Sequence, residues 1–190
     1  SGGIGWILSE EPFIQNLGFV NNLKLRASYG EIGDDRVLSN IRFLYDTQWA
    51  YGGKARMGVT GESAEQSPYT WYKEASVGNQ QIRWETIYKK NAGLDFAFFK
   101  SLVSGSIDWF SDHRVDILTN TRAIPSYYGA TAPYANLGDV ETNGYEIELK
   151  FNKTLGNGLR LWANTSLTHA TSKVLFADDP QMLPDYQKKE

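Results

Sequence analysis

The sequence predicts an all-β fold in which long antiparallel strands follow one another as an up-and-down meander. The first observation is alternation, since mainly apolar and mainly polar positions take turns along residues 145–152 and again along 159–168. Side chains of a strand point alternately to two faces, so each of these strands has one apolar and one polar face. The second observation is that short and long connections alternate between the strands. Both features are typical of a slice of a large transmembrane β-barrel, with lipid on one face and water on the other.

Six segments have the strand pattern. They are, in chain order, residues 3–8, 22–29, 84–99, 103–110, 145–152 and 159–168. The third and fourth form a tight hairpin around Phe99-Lys100-Ser101, and the last two are joined by the polar turn at residues 153–158. The residues after 176 are polar and are expected to form a loop.

Two stretches are expected to be long external loops, near residues 30–82 and 119–141. The first contains four glycines between positions 52 and 61, and only residues 41–50 within it resemble a strand. Six strands would leave two open edges, which a lipid bilayer does not tolerate, and closed bacterial barrels have at least about eight strands. Residues 1–190 are therefore expected to be a partial barrel domain.

Composition excludes several classes of protein. The formal net charge is −3, whereas nucleic-acid binders usually carry a basic excess. There is no cysteine, which excludes disulfides, thiol catalysis and Cys-ligated zinc. No run approaches the ~18 apolar residues of a transmembrane helix, but barrel strands need only ~9–11 residues each. No signal peptide precedes the first strand, so the beginning of an exported chain would be missing.

A series of short motifs in a fixed order resembles the SusC/RagA family of TonB-linked outer-membrane proteins over nearly the whole chain. The motifs are WILSEEPF at 6–13, NNLKLRASYG at 21–30, WET at 84–86, NAGLDF at 91–96, SGSIDW at 104–109, NLGDV at 136–140 and TNGYEIEL at 142–149. Each motif alone is weak, and the ordered set is what is specific.

The resemblance implies a barrel of ~22 strands with a plugged lumen, of which this chain matches part of the C-terminal half. It implies a bacterial outer-membrane protein that imports glycans or peptides. The implied partners are TonB, a SusD-like surface lipoprotein, membrane lipid and an oligosaccharide or peptide substrate. The plug domain, the TonB box and the closing strand of the barrel are not expected among these residues, so energy coupling lies elsewhere.

The candidate site residues are aromatic. Trp71, Tyr72, Tyr127 and Tyr128 lie in the predicted external loops, where they would contact substrate or the lipoprotein lid. The other interpretation is that these rings pack within the rim.

Catalytic, cofactor-binding and metal-binding residues are not predicted, and the protein is not expected to be an enzyme. The strand carboxylates are interpreted as the polar face rather than as an acid–base pair; they are Asp95, Asp108, Glu146 and Glu148. The pairs Asp34-Asp35 and Asp178-Asp179 lack the spaced ligands of a calcium loop. His113 and His169 are too far apart in sequence to indicate a metal site. No cofactor is implied.

One alternative remains open on the sequence. A secreted, soluble β-sandwich that binds carbohydrate would have similar strands, with loop aromatics as its site. The two folds differ in the surroundings of the apolar face. A sandwich buries that face against a second sheet, whereas a barrel slice leaves it facing lipid.

Overall fold

The computed structural model describes residues 1–35, 42–55, 69–156, 158–180 and 184–187, and eight strands lie within them. The strands are β1 (Gly2–Ile7), β2 (Val20–Asp34), β3 (Gln48–Lys54), β4 (Thr70–Ser76), β5 (Glu85–Phe98), β6 (Val103–Asn120), β7 (Tyr134–Thr154) and β8 (Arg160–Phe176). Within those described ranges, helical structure is limited to one short helix, α1 (Pro12–Gln15), and 3-10 turns at Leu8–Glu10, Ser126–Tyr128 and Asp185–Gln187.

Six of these strands form one sheet in the order β1-β2-β5-β6-β7-β8, and β3 and β4 form a separate two-stranded sheet. The pairs β1–β2 and β5–β6 are antiparallel and in continuous register. Strands that follow one another in the large sheet are therefore neighbours in space, as an up-and-down meander requires. The β3–β4 hairpin is inserted between β2 and β5.

The chain forms two compact units. The first consists of Ser1–Gly33, Thr86–Val115 and Asp139–Leu175 and contains most of the large sheet. The second consists of Asp34–Glu85, Asp116–Gly138 and Phe176–Glu190 and contains the β3–β4 hairpin with the long connections. No helix within the described residues has the length and hydrophobicity that a membrane-spanning helix requires.

The register between β5 and β6 gives the large sheet two chemically different faces. Leu94 lies opposite Ile107, and Asp95 lies opposite Ser106. Because directly opposed residues of an antiparallel pair share a face, apolar side chains meet apolar ones and polar meet polar. We call these the apolar face and the polar face of the sheet; the alternation in the sequence predicts both.

The apolar face of the large sheet is not covered by a packed core. Among the described residues Leu118, 5% exposed, is the only buried hydrophobic side chain. On β7, Tyr145 and Leu149 are each 41% exposed. A β-sandwich of this size would bury such side chains between its sheets, so the sandwich interpretation is not supported.

Strand β7 is longer than a membrane crossing requires. It has 21 residues, about twice the ~9–11 that span a bilayer in a barrel. In a membrane barrel, a strand of this length would extend beyond the hydrocarbon layer, as the sequence predicts for the long strands.

The largest difference from the sequence prediction is the β3–β4 hairpin, which lies in the stretch predicted to be irregular. The predicted strand-like segment at 41–50 is shifted to Gln48–Lys54, and residue 41 lies outside the described residues. The register shifts between Tyr51 and Gly53, which leaves Gly52 as an extra residue on β3. Glycines interrupt the alternation of apolar and polar side chains in a strand and often mark such a bulge. The alternation that would predict a strand is therefore weak in this segment.

The turn between β5 and β6 is fixed by a side chain from another strand. Phe99, Lys100 and Ser101 have φ values of 55°, 58° and 63°, which L-residues adopt at a cost of about 1–2 kcal/mol each. The Asn21 side-chain oxygen accepts hydrogen bonds from the backbone N–H groups of Lys100 (2.5 Å) and Ser101 (3.3 Å). The ring of Phe19 stacks on that of Phe99 with centroids 5.7 Å apart. The start of β2 therefore holds this turn in place.

Replacing Asn21 with alanine is expected to lower the free energy of unfolding by about 1–3 kcal/mol, because two backbone donors of a strained turn lose their acceptor. Asn21→Asp keeps an acceptor oxygen and is expected to stay close to the wild type. Urea unfolding of the intact protein in detergent measures both variants. If both unfold at the wild-type urea concentration, Asn21 does not hold the turn.

Candidate functional site

A charged cluster crosses three strands on the polar face of the large sheet. Arg26 on β2 donates from Nε to Asp95 Oδ2 on β5 (3.2 Å) and from Nη2 to Asp108 Oδ2 on β6 (2.7 Å). The side chains of Arg26 and Asp95 are about one-third exposed, and that of Asp108 is 16% exposed. The cluster therefore ties β2, β5 and β6 together on the face predicted to be wet.

Gly93 on β5 leaves the space through which the Arg26 side chain reaches Asp108. A Cβ at position 93 would lie 2.6 Å from Asp108 Oδ1 and 2.7 Å from Arg26 Cζ. The guanidinium therefore passes directly over Gly93 to reach β6, and any larger residue would push it away. This accounts for a glycine inside an otherwise regular strand.

The β3–β4 hairpin presents an aromatic face. Tyr51 lies opposite Tyr72, their ring centroids are 6.1 Å apart, and the rings meet edge to face. Trp49 is two residues from Tyr51 on the same strand, so its side chain shares this face. Trp49, Tyr51 and Tyr72 are 63%, 56% and 63% exposed. We call these three residues the aromatic face of the hairpin.

Trp71 has a different role from its neighbour Tyr72. Its six-membered ring lies so close to Gly52 that a Cβ at position 52 would overlap the ring carbons. Trp71 is therefore packed on the backbone of the β3 bulge, and its side chain points away from the aromatic face. Of the two, Tyr72 has the more exposed side chain, at 63% against 43% for Trp71.

Tyr127 and Tyr128 lie in the 3-10 turn of the connection between β6 and β7. They are 87% and 44% exposed. This connection is anchored at its start, because Asp178 Oδ2 accepts hydrogen bonds from the backbone N–H groups of Arg122 (2.9 Å) and Ala123 (3.2 Å). Arg122 also forms an ion pair with Asp179. The Asp178-Asp179 pair therefore holds a loop by contacting an arginine and backbone amides.

The structure brings together the chain segments that carry the two predicted aromatic pairs. A cavity of about 400 Å³ is lined by Lys73, Glu74 and Ala75, which follow Tyr72, and by Gly129–Thr131, which follow Tyr128. No ring contact joins the pairs among the described residues. The segments that follow the two pairs thus meet at one cleft, but the four aromatic side chains are not among the residues that line it.

Sequence reasoning missed Trp49 and Tyr51 as candidate site residues. The signal was present, because Trp49 and Tyr51 alternate with Ala50 at the period of a strand. Without knowledge of the partner strand, however, nothing indicates that Tyr51 lies opposite Tyr72. Cross-strand pairing brings together residues that are far apart in sequence.

Two further pairs of titratable groups lie among the described residues. His113 Nε2 and Asp139 Oδ1 are hydrogen-bonded at 2.6 Å, and Lys89 pairs with Asp112 at 2.8 Å. Among the described residues no group of three or more His, Cys, Asp or Glu side chains is placed to hold a metal ion.

Comparison with protein families identifies the barrel. A model of the family described as "TonB dependent receptor-like, beta-barrel" matches residues 1–187. A TonB-dependent receptor of Formosa agariphila is 33% identical over 148 residues, covering 77% of this chain and 13% of that protein. The TonB-dependent receptor SusC of Bacteroides thetaiotaomicron is 27% identical over 151 residues, covering 77% of this chain and 14% of SusC. The chain thus spans about one-seventh of the length of these curated relatives.

Solved structures agree with this assignment at the level of the fold. The RagAB peptide importer in its closed-closed state matches with a TM-score of 0.75 at 18% identity, covering 96% of this chain and 19% of that one. The open-open state also gives a TM-score of 0.75, at 19% identity. These likenesses confirm the predicted antiparallel barrel slice, and the relatives are receptors and transporters rather than enzymes. The chain therefore belongs to the TonB-dependent receptor β-barrel family, which acts in outer-membrane transport, and is of the SusC/RagA type that its motifs predict.

Proposed function

We propose that residues 1–190 are a partial barrel domain, a wall segment of an outer-membrane importer that takes up glycans or peptides with a SusD-like lipoprotein. The observation that carries this proposal is the six-stranded sheet with one apolar and one polar face and no packed core among the described residues. Such a sheet is stable where lipid covers the apolar face and water fills the other side. The polar face then lines the conduit.

The short and long connections define the orientation. Residues 8–19, 99–102 and 155–159 join strands at one end of the sheet, which we call the short-connection end. Residues 35–84 and 121–133 join strands at the other end, the long-connection end. In outer-membrane barrels the short turns are periplasmic and the long loops are external. The hairpin β3–β4 and the turn at Ser126–Tyr128 are thus outside the cell, where cargo and a surface lipoprotein arrive.

The aromatic loops supply a surface for cargo or for the lid. Trp71, Tyr72, Tyr127 and Tyr128 are the residues proposed from sequence, and Tyr72 and the two other residues of the aromatic face are each more than half exposed. Tyrosine and tryptophan offer a large apolar ring with a polar group at little loss of conformational entropy. TonB itself would act through parts of the protein outside these residues.

The test is uptake by cells. A strain that lacks the intact protein is compared with its parent for uptake of fluorescently labelled oligosaccharides and peptides, and a strain without TonB serves as the energy control. Loss of uptake of one cargo class in both mutants is expected. Tagged intact protein is also expected to co-purify with a surface lipoprotein from outer membranes. Unchanged uptake of both classes would overturn the proposal.

Replacing Tyr51 and Tyr72 together with alanine is expected to weaken binding of the imported cargo about tenfold, equivalent to about 1.4 kcal/mol, because the stacking surface is lost. Isothermal titration calorimetry on the intact protein measures the affinity. Tyr186→Ala is the matched control, since Tyr186 is 83% exposed and lies outside the hairpin. Equal affinities for the double variant and the control would show that the aromatic face is not used.

A further inference from the structure

A row of phenyl rings lies on the apolar face at the short-connection end of the large sheet. The rings of Phe96 and Phe98 on β5 stack with centroids 5.3 Å apart. Phe19, the residue before β2, is 6.1 Å from Phe98 and stacks on Phe99 at 5.7 Å. Phe98 shares its face with Leu94, four residues away on the same strand. These four rings, which we call the aromatic row, therefore continue the apolar face as far as the β5–β6 turn.

The outermost ring of the row is held on a strained backbone. Phe99 has a φ of 55°, a left-handed conformation that is unfavourable for a bulky residue and easy for glycine. Phe99 is also 59% exposed, so packing within the sheet repays little of this strain. Backbone strain of this kind persists where the side chain has a function. In the interfacial layer of a bilayer, where aromatic rings are enriched, the exposed part of this ring would be covered.

Two lysines flank the aromatic row on the neighbouring strands. Lys100 lies in the β5–β6 turn itself, and Lys153 lies on β7 two residues after Phe151, which places it on the apolar face. The backbone N–H of Asn152 donates to the Leu102 oxygen at 3.0 Å, so the end of β7 lies beside this turn. Both lysines are exposed, and neither has an ion-pair partner within the residues that the structure describes.

The nearest carboxylates on β5, β6 and β7 lie on the other face. Asp95 and Asp108 contact Arg26 on the polar face, and Glu148 is 3.2 Å from Lys150 there. The corner formed by the aromatic row and its two lysines is therefore apolar toward the middle of the sheet and positively charged at the end. Aromatic rings followed by lysine are typical of the membrane–water interface, where the ring meets the upper acyl chains and the cation meets headgroups.

We propose that Lys100 and Lys153 bind the phosphate of an anionic glycerophospholipid in the periplasmic leaflet of the outer membrane, with Phe99 and Phe19 beside its glycerol. The inference goes beyond import and rests on the orientation proposed above. Two ammonium groups on adjacent strand ends complement the negative charge of a phosphodiester. The apolar face is directed outward from the barrel, so lipid reaches it whether the lumen is filled or empty. Bound phospholipid then fixes the depth of these strands in the membrane.

The experiment measures whether stability depends on lipid charge. Intact protein is folded into vesicles of phosphatidylcholine alone and into vesicles in which phosphatidylglycerol with the same acyl chains replaces about a third of the lipid. The urea midpoint is expected to be higher by about 0.5–1 M in the anionic vesicles. Inorganic phosphate added to the neutral vesicles is expected to change nothing. Equal midpoints in the two kinds of vesicle, or a full effect of inorganic phosphate, would overturn the proposal without any variant.

Variants then assign the effect to the two lysines. Lys100→Gln combined with Lys153→Gln is expected to remove about half or more of the midpoint difference between the vesicles. The matched control is Lys24→Gln with Lys150→Gln, which removes the same charge from the polar face near the same end, since Lys24 shares its face with Arg26. The control is expected to keep the difference. Equal losses in the two double variants would contradict binding at the aromatic row.

A photoreactive side chain tests the contact with lipid directly. Benzoylphenylalanine in place of Phe99 keeps an aromatic ring, and irradiation of the intact protein in anionic vesicles is expected to give an adduct with the mass of one phospholipid. The matched position is Trp162, which lies beside Lys150 on the polar face at the same end and is expected to give none. A missing adduct at position 99, or equal yields at the two positions, would show that the ring does not meet lipid.

The uptake assay separates this inference from the proposed function. Uptake of cargo by a protein whose stability does not depend on phosphatidylglycerol would contradict the lipid site alone. A phosphatidylglycerol effect that depends on Lys100 and Lys153, in a protein whose loss changes no uptake, would contradict the import function and leave the lipid site standing.

Discussion

Gly105→Ala is expected to prevent much of the intact protein from assembling and to lower its free energy of unfolding by about 3 kcal/mol or more. A Cβ at position 105 on β6 would fall on the backbone carbonyl oxygen of Glu148 on β7, well inside the 3.0 Å that real Cβ atoms respect. A side chain can rotate away from such an overlap, but a carbonyl in a strand ladder cannot. The two strands would have to separate, and overpacking of this kind costs about 1–3 kcal/mol or more.

The matched control for Gly105 is Gly2→Ala. Gly2 also lies in a strand, and a Cβ there would meet nothing within 4 Å. Folded barrels migrate faster than heated ones on detergent gels, so the folded fraction and the urea midpoint can be compared for both variants. A Gly105→Ala protein that is as abundant and as stable as Gly2→Ala would show that β6 and β7 do not approach as closely as described.

Leu149→Arg is expected to cost about 2–4 kcal/mol, because it places a charge on the apolar face near the middle of the membrane. Leu149 lies on β7 and is 41% exposed, so its side chain meets solvent in the isolated sheet and lipid in an intact barrel. The same substitution in a soluble protein at a site this exposed would change stability little. The size of the effect therefore reports what surrounds the apolar face.

Two variants on the opposite face calibrate the Leu149 result. Glu146→Arg introduces the same side chain three residues away on the polar face, and Glu148→Gln removes a charge there. Both are expected to cost well under 1 kcal/mol, since water on that side solvates a charge. The measurement is urea unfolding of the intact protein folded into lipid vesicles. Equal losses for Leu149→Arg and Glu146→Arg would contradict the assignment of the two faces.

The strand pattern and its two faces were predictable, because period-two alternation is a local property. The short turn between β5 and β6 fixes which residues of the two strands lie opposite each other. In that register Leu94 lies opposite Ile107 and Gly93 opposite Asp108, so the apolar positions of both strands share one face. The family resemblance was recognisable from the order of the motifs, although the sequence does not reveal the structural role of any single motif.

The structure shows the structural role of several motif residues. Gly93, Gly105 and Gly144 each occupy a point where a Cβ would overlap a neighbouring strand or its side chain. Asn136 donates from its amide to the backbone oxygens of Arg83 and Asp116 at 2.8 and 2.7 Å. Most of the neighbours that set these positions are distant in the chain, such as Glu148 for Gly105 and Asp116 for Asn136.

The sequence by itself determined that this chain forms two-faced antiparallel strands of the SusC/RagA type, because alternation and motif order are written along the chain. Tertiary structure alone decided which residues meet across strands. In the folded chain Asn21 accepts a hydrogen bond from the β5–β6 turn, and Arg26 donates one to Asp108. The rings of Tyr51 and Tyr72 are in contact. The physical reason is that each of these contacts depends on strand order, register and a bulge, which are fixed by hydrogen bonding between distant segments rather than by local preference.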